Sequence, residues 1–158
     1  MLYASLKTLH LLGVILWVGG MLFAHTCLRP AVAALEGPVR LRLMHDVLGR
    51  FFRLVLATSV VVLVTGVWMI GRSARSSVQA GLSFNMPLDW AVMAVLGVLM
   101  VAIFGHIRFV LYKRLSAAVA AQDWPVGGAQ LGQIRQWVLV NLVLGLLIVV
   151  VVRLGAAV

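Results

Sequence analysis

Acidic residues are scarce in this chain: Asp and Glu total 4 against 13 Lys and Arg, and only 11% of the 158 residues are charged. Soluble proteins carry about 25%, and a surface so poor in charge cannot cover a water-facing domain. The solvent for most of the chain is therefore lipid. Three acids, Glu36, Asp46 and Asp123, fall outside the apolar runs, and Asp89 stands alone at the edge of one. Catalysis by a carboxylate pair is accordingly not expected. The single cysteine, Cys27, excludes an intramolecular disulfide and a cysteine metal cluster; at the end of an apolar run it reads as a small buried hydrophobe. There is no phosphate-binding glycine loop, no Gly-x-Ser-x-Gly, no His-Glu-x-x-His and no CxxCH. No Met-x-x-x-Met pair lies within an apolar run either.

What is present is apolar sequence, 63% of the chain, where soluble proteins have about 45–50%. Crossing about 30 Å of hydrocarbon takes about 20 apolar residues. Four stretches approach that length, Trp137 to Val152 being the shortest, and predict spans over about 5–28, 50–71, 88–108 and 136–156. The fold class expected is all-α, a polytopic membrane four-helix bundle in one domain over 1–158. The first stretch is too long for a signal-peptide core and is read as a retained span. The net charge of +9 lies beside the apolar runs, not in a stripe with interleaved aromatics, so it points to lipid headgroups and not to nucleic acid.

Orientation follows from the cations. Nine of the 13 flank the first and third connections (Arg29, Arg40, Arg42, Arg50, Arg53, Arg108, Lys113, Arg114, Arg135), leaving Lys7, Arg72, Arg75 and Arg153 for the other side. Positive charge is retained inside, so both termini are expected outside, in a bacterial inner (cytoplasmic) membrane. Gly37-Pro38 marks a helix start, after which nothing breaks the pattern into the second span. Leu115 to Ala121 reads as a cytoplasmic extension of the third helix. Asp123-Trp124-Pro125 with Val126-Gly127-Gly128 reads as a turn, and Ser73 to Leu88 as the outer loop.

Ionisable groups inside a membrane are costly and mark function. His10 sits near the outer end of the first span, and His25 lies about 22 Å further along the axis at about 1.5 Å per residue. At about 100° per residue, His10, Trp17, Met21 and His25 share one stripe, expected to face the bundle interior. His25, His45, His106 and Asn141 are placed toward the inner leaflet. Neutral imidazole binds copper, zinc and heme iron, so His10, His25, His45 and His106 are candidate metal ligands. Candidate cofactor-binding residues are His10, His25 and His106 with Trp17, Gly20 and Asn141. Gly19-Gly20 either lets helices approach closely or makes room for a macrocycle. A heme between His25 and His106 fits their depth, and Asp89 is the one acid placed to orient His10. Met21, Met69 and Met100 read as packing.

Lys7-Thr8-Leu9-His10, Trp17-Val18-Gly19-Gly20-Met21-Leu22-Phe23 and Leu28-Arg29-Pro30 resemble the opening helix of the copper resistance protein D (CopD) family. Gly49-Arg50-Phe51-Phe52-Arg53-Leu54 and Thr65-Gly66-Val67-Trp68 are similar to its next helix, and a third apolar helix ending in Arg108 and Lys113-Arg114 extends the likeness. The resemblance implies copper import or resistance, with His10 as ligand in the setting of Trp17 and Gly20, and a periplasmic copper-binding partner. The same opening pattern is similar to the HemJ proteins, which bind heme b and oxidise protoporphyrinogen IX. Those have a lysine in the third span; Trp90 to Gly105 has none, while Gly105-His106 keeps a histidine. Copper or heme b is thus the expected cofactor. A non-catalytic membrane subunit is the third reading, enzymatic activity being expected only with heme. Membrane lipid and a second copy of the chain complete the expected partners.

Overall fold

The computed structural model describes residues 1–155. Four helices are long and apolar enough to cross a membrane: α1 (Leu2–Val32), α2 (Gly37–Gln79), α3 (Leu88–Ala120) and α4 (Trp124–Gly155). Together they form an all-α bundle with no strand among the described residues. No more than 22% of any span's most apolar window is buried. Ile15, Val60, Val64, Val67, Val98 and Val143 all point outward, a surface that only lipid can solvate. This is a multi-pass membrane protein.

The α1–α2 and α3–α4 connections lie at one end of the bundle, here called the arginine-rich end. The chain termini and the α2–α3 loop define the other, the terminal end. Helix α1 packs along α2, α3 along α4, and α4 touches both α1 and α2. The shared core is built from Trp17, Met21, Phe52, Val55, Met100, Phe104, Ile107, Leu111, Ile134 and Leu142. Trp17 and Met21 are buried and His10 and His25 half-buried, so the stripe on α1 faces inward as its spacing predicts.

Local chemistry explains where the helices start and stop. Pro38 falls in the first turn of α2, as expected. Helix α2 does not end near Ser73, however, because nothing in Ser73–Gln79 breaks it. It runs to Gln79 and is closed at Gly81, whose φ of 72° suits the left-handed closing residue; Leu82 N–H reaches Ser77 O at 3.0 Å and Gly81 N–H reaches Val78 O at 3.0 Å. The outer loop is correspondingly shorter than the sequence suggests.

The third connection also differs from expectation. Gly127 and Gly128 are helical, not a turn. Gln122, with φ 57°, closes α3, and Asp123 Oδ1 accepts the Val126 N–H at 3.1 Å, capping α4. With Pro125 in its first turn, this start signal outweighs the glycine pair. The last expected span position, residue 156, lies outside the described residues. Helices α1 and α3 each contain one π-helical turn near the arginine-rich end, Ala24–Leu28 and Ile107–Leu111, whereas α2 and α4 have none.

Candidate metal-handling site at the terminal end

The α1 stripe and the facing parts of α2, α3 and α4 enclose a cavity of about 250 Å³ at the terminal end. His10 and Trp17 come from α1, Gly66 from α2, Met93 and Met100 from α3, and Arg153 from α4. The two methionines lie seven residues apart on α3, about two helical turns, and both line the same crevice. Among its lining residues, His10 is the only imidazole.

His10 is held in a defined orientation. Its Nδ1 lies 2.9 Å from Thr65 Oγ1. Thr65 Oγ1 also reaches Val61 O at 2.6 Å and Val62 O at 3.2 Å; with its hydrogen directed to Val61 O, its oxygen accepts from His10 Nδ1–H. In that tautomer the lone pair of the imidazole is on Nε2, the atom that would serve as a metal donor. Gly66 makes room for this ring: a Cβ there would stand 3.3 Å from His10 Cε1. The orienting group is thus Thr65, not Asp89, whose side chain packs against Gly155. An Asp partner was the natural expectation because carboxylates usually orient a ligating histidine; inside an apolar bundle a threonine that also bonds back to its own helix does so without burying charge.

The remaining candidates are dispersed. His25 lies in the π-helical turn of α1 and lines a separate crevice at the arginine-rich end. His45 Nε2 faces Ser116 Oγ at 3.0 Å and its Nδ1 faces Asp46 Oδ1 at 3.3 Å, and the ring stacks on Tyr112 at 5.2 Å. Both of its nitrogens are therefore engaged, and the Ser116 contact together with the Tyr112 stack holds α2 to α3. His106 is exposed, its ring edge-on to Trp137 at 5.8 Å on the outside of the bundle. The structure does not bring His25 and His106 together, because the helix turn carrying His106 presents it outward while Phe104 and Ile107 take the inner face. Among the described residues no group of three or more His, Cys, Asp and Glu is placed to hold a metal ion.

Gly20 serves helix approach: a Cβ there would drive into the Phe51 ring, which already fills the space a macrocycle would need, while Gly19 faces nothing within 4 Å. Trp17 is buried and edge-on to Phe104 at 5.9 Å, closing the floor of the cavity. Asn141 is 1% exposed; its Nδ2 donates to Met100 O at 3.1 Å, and its Oδ1 has no partner. Cys27 is exposed, not buried, because the π-helical turn rotates it away from the core.

Thr65 and Met93 were not legible as site residues. Thr65 reads as one of several tolerated hydroxyls, and a methionine pair is sought at a spacing of about one turn, not two. The signal available was the Thr65-Gly66 pair, a hydroxyl beside a missing side chain at the depth of His10.

A family model described as copper resistance protein D matches residues 45–154. The chain belongs to the CopD family. Membership makes it a membrane protein of the copper-resistance class. The match takes in α2 from His45 onward, α3 and nearly all of α4, hence Thr65, Gly66, Met93, Met100 and Asn141, and begins beyond the His10–Gly20 segment of α1 that carried most of the resemblance. Neither the curated proteins nor the solved structures returned a match.

Proposed function

We propose that this CopD-family protein handles copper, in import or resistance, and that its terminal-end cavity receives the ion. The observation that carries the reading is that His10, Met93 and Met100 line one crevice of a CopD-family chain. Imidazole and thioether together suit Cu(I), whereas harder ions prefer oxygen donors, and the crevice offers no carboxylate. Copper is here a cargo. Thr65 fixes the donor atom of His10, Gly66 gives its ring clearance, and Asn141 anchors the backbone at Met100.

The arginine distribution supports placing this cavity on the outer side of a bacterial inner membrane. A periplasmic copper-binding protein is then the natural donor or acceptor, and a homodimer the simplest assembly. Trp17, Phe104 and Phe52 pack edge-on to one another in the bundle core. The heme alternative has less support, since Phe51 occupies the space at Gly20 and His25 and His106 face different surroundings.

The deciding experiment is metal analysis with an absorption spectrum on purified protein loaded with Cu(I) under reducing conditions. Stoichiometric copper is expected, lost in His10→Ala and weakened in Met93→Leu with Met100→Leu, with wild-type folding in each. A Soret band with no bound copper would overturn the reading in favour of heme, and copper retained in His10→Ala would move the site elsewhere.

A further inference from the structure

A second cavity, of about 320 Å³, opens at the arginine-rich end and has a different chemistry. Its rim carries three guanidinium groups from three helices: Arg29 of α1, Arg40 of α2 and Arg135 of α4, with His25 beside them. Its floor is apolar, formed by Leu41, Met44, Ile134 and Val138, all buried. Volumes of about 300 Å³ and above are typical of small-molecule sites.

None of the three arginines has an acidic partner. Among the described residues the one ion pair within 4.0 Å joins His45 and Asp46, and the bond found for Arg40 is to a backbone carbonyl, Ala33 O at 3.4 Å. Three cations gathered around one opening repel each other unless an anion from outside sits among them. Guanidinium groups match phosphate oxygens in pairs. An apolar floor directly beneath that rim does not suit a free, fully hydrated anion, but it does suit a hydrocarbon chain attached to one.

We propose that this cavity is a specific site for one anionic phospholipid, its headgroup phosphate held by Arg29, Arg40 and Arg135 and the start of an acyl chain laid over Leu41, Met44 and Val138. Gly132 is part of the design. It lines the cavity, and a Cβ there would meet nothing within 4 Å, so the glycine leaves open the space that the chain occupies. This goes beyond general attraction of basic segments to a charged membrane surface, because it requires one lipid per protein and a defined floor.

Native mass spectrometry of the full chain in non-ionic detergent tests it. Phosphatidylglycerol and phosphatidylcholine with identical acyl chains are offered together, with and without inorganic phosphate. One retained phosphatidylglycerol per chain is expected, in preference to phosphatidylcholine. Arg40→Gln with Arg135→Gln should lower retention about tenfold or more for each charged bond lost, and Arg72→Gln with Arg75→Gln at the other end should leave it unchanged. Gly132→Leu alters no charge and favours the helix, yet should displace the lipid by filling its chain site. Equal retention of the two lipids, or equal loss on removing Arg72 and Arg75, overturns the proposal. So does displacement by inorganic phosphate with Gly132→Leu unchanged, which would identify a free-anion site instead.

Discussion

Replacing Asn141 by leucine should stabilise the bundle. The two side chains branch alike and have the same number of heavy atoms, so the substitution exchanges polarity for hydrocarbon at nearly constant shape. In the native structure Asn141 is almost completely buried, with one bond, Nδ2 to Met100 O at 3.1 Å, and an unpartnered Oδ1. A side-chain hydrogen bond between membrane helices contributes about 0.6 kcal/mol on average and about 1.7 at most. An unsatisfied buried polar atom costs about 1–3 kcal/mol. Leucine removes both, and the second term is the larger, so a gain of about 0.5–2 kcal/mol is expected. Asn141→Ala loses the same polar groups but also leaves a void with no atoms to line it, and should therefore be less stable than Asn141→Leu. Unfolding in mixed micelles of non-ionic detergent and dodecyl sulfate, followed by tryptophan fluorescence, measures both variants on one scale. A loss of more than about 1 kcal/mol in Asn141→Leu would show that Oδ1 has a native partner and would refute the reasoning. If the leucine variant is more stable but binds less copper, the amide is retained for Met100 and the cavity above it, at a cost in stability.

Further expectations come from particular contacts. Gly20→Ala should destabilise by about 1–3 kcal/mol, since its Cβ would collide with the Phe51 ring; Gly19→Ala, in open space, should be neutral or gain up to about 1 kcal/mol, and the same unfolding titration separates them. Thr65→Val keeps the shape but removes the acceptor for His10 Nδ1–H, so copper affinity should fall about 10–100-fold in a competition titration with a chromogenic Cu(I) chelator, with little change in stability. Gly66→Ala should weaken copper binding in that titration by crowding the His10 ring. Asp123→Ala removes the cap of α4 and should cost about 0.5–2 kcal/mol, read as a lowered thermal midpoint, with copper binding unaffected.

The four-span architecture was legible because run length is a one-dimensional signal: a stretch of apolar residues spans lipid whatever its neighbours do. Helix ends were less so. Gly127-Gly128 looked like a turn, yet Asp123 and Pro125 upstream set the start of α4, and in a bundle two small residues serve packing, as Gly127 does against Leu41 and Ala118. The site was legible only in part. The inward stripe of α1 follows from helical periodicity, but histidines at equal depth were grouped by height alone. Height does not fix rotation, and rotation sends His106 outward to Trp137 while His45 turns to Ser116. The partner of His10 lies 55 residues away, a relation set by how α1 and α2 pack.

Helix α2 runs 43 residues without a break. Arg40 at one crevice and Thr65 at the other are both part of it, about 37 Å apart along its axis. It is a single stiff lever between the two ends of the molecule, whereas α1 and α3 each have a π-helical turn near the arginine-rich end where a bend can be taken up. A load that moved Arg40 would be passed along the rod as a tilt at Thr65, with no π-helical turn between them to absorb it. The two crevices, at opposite ends of the bundle, therefore share one unbroken structural element.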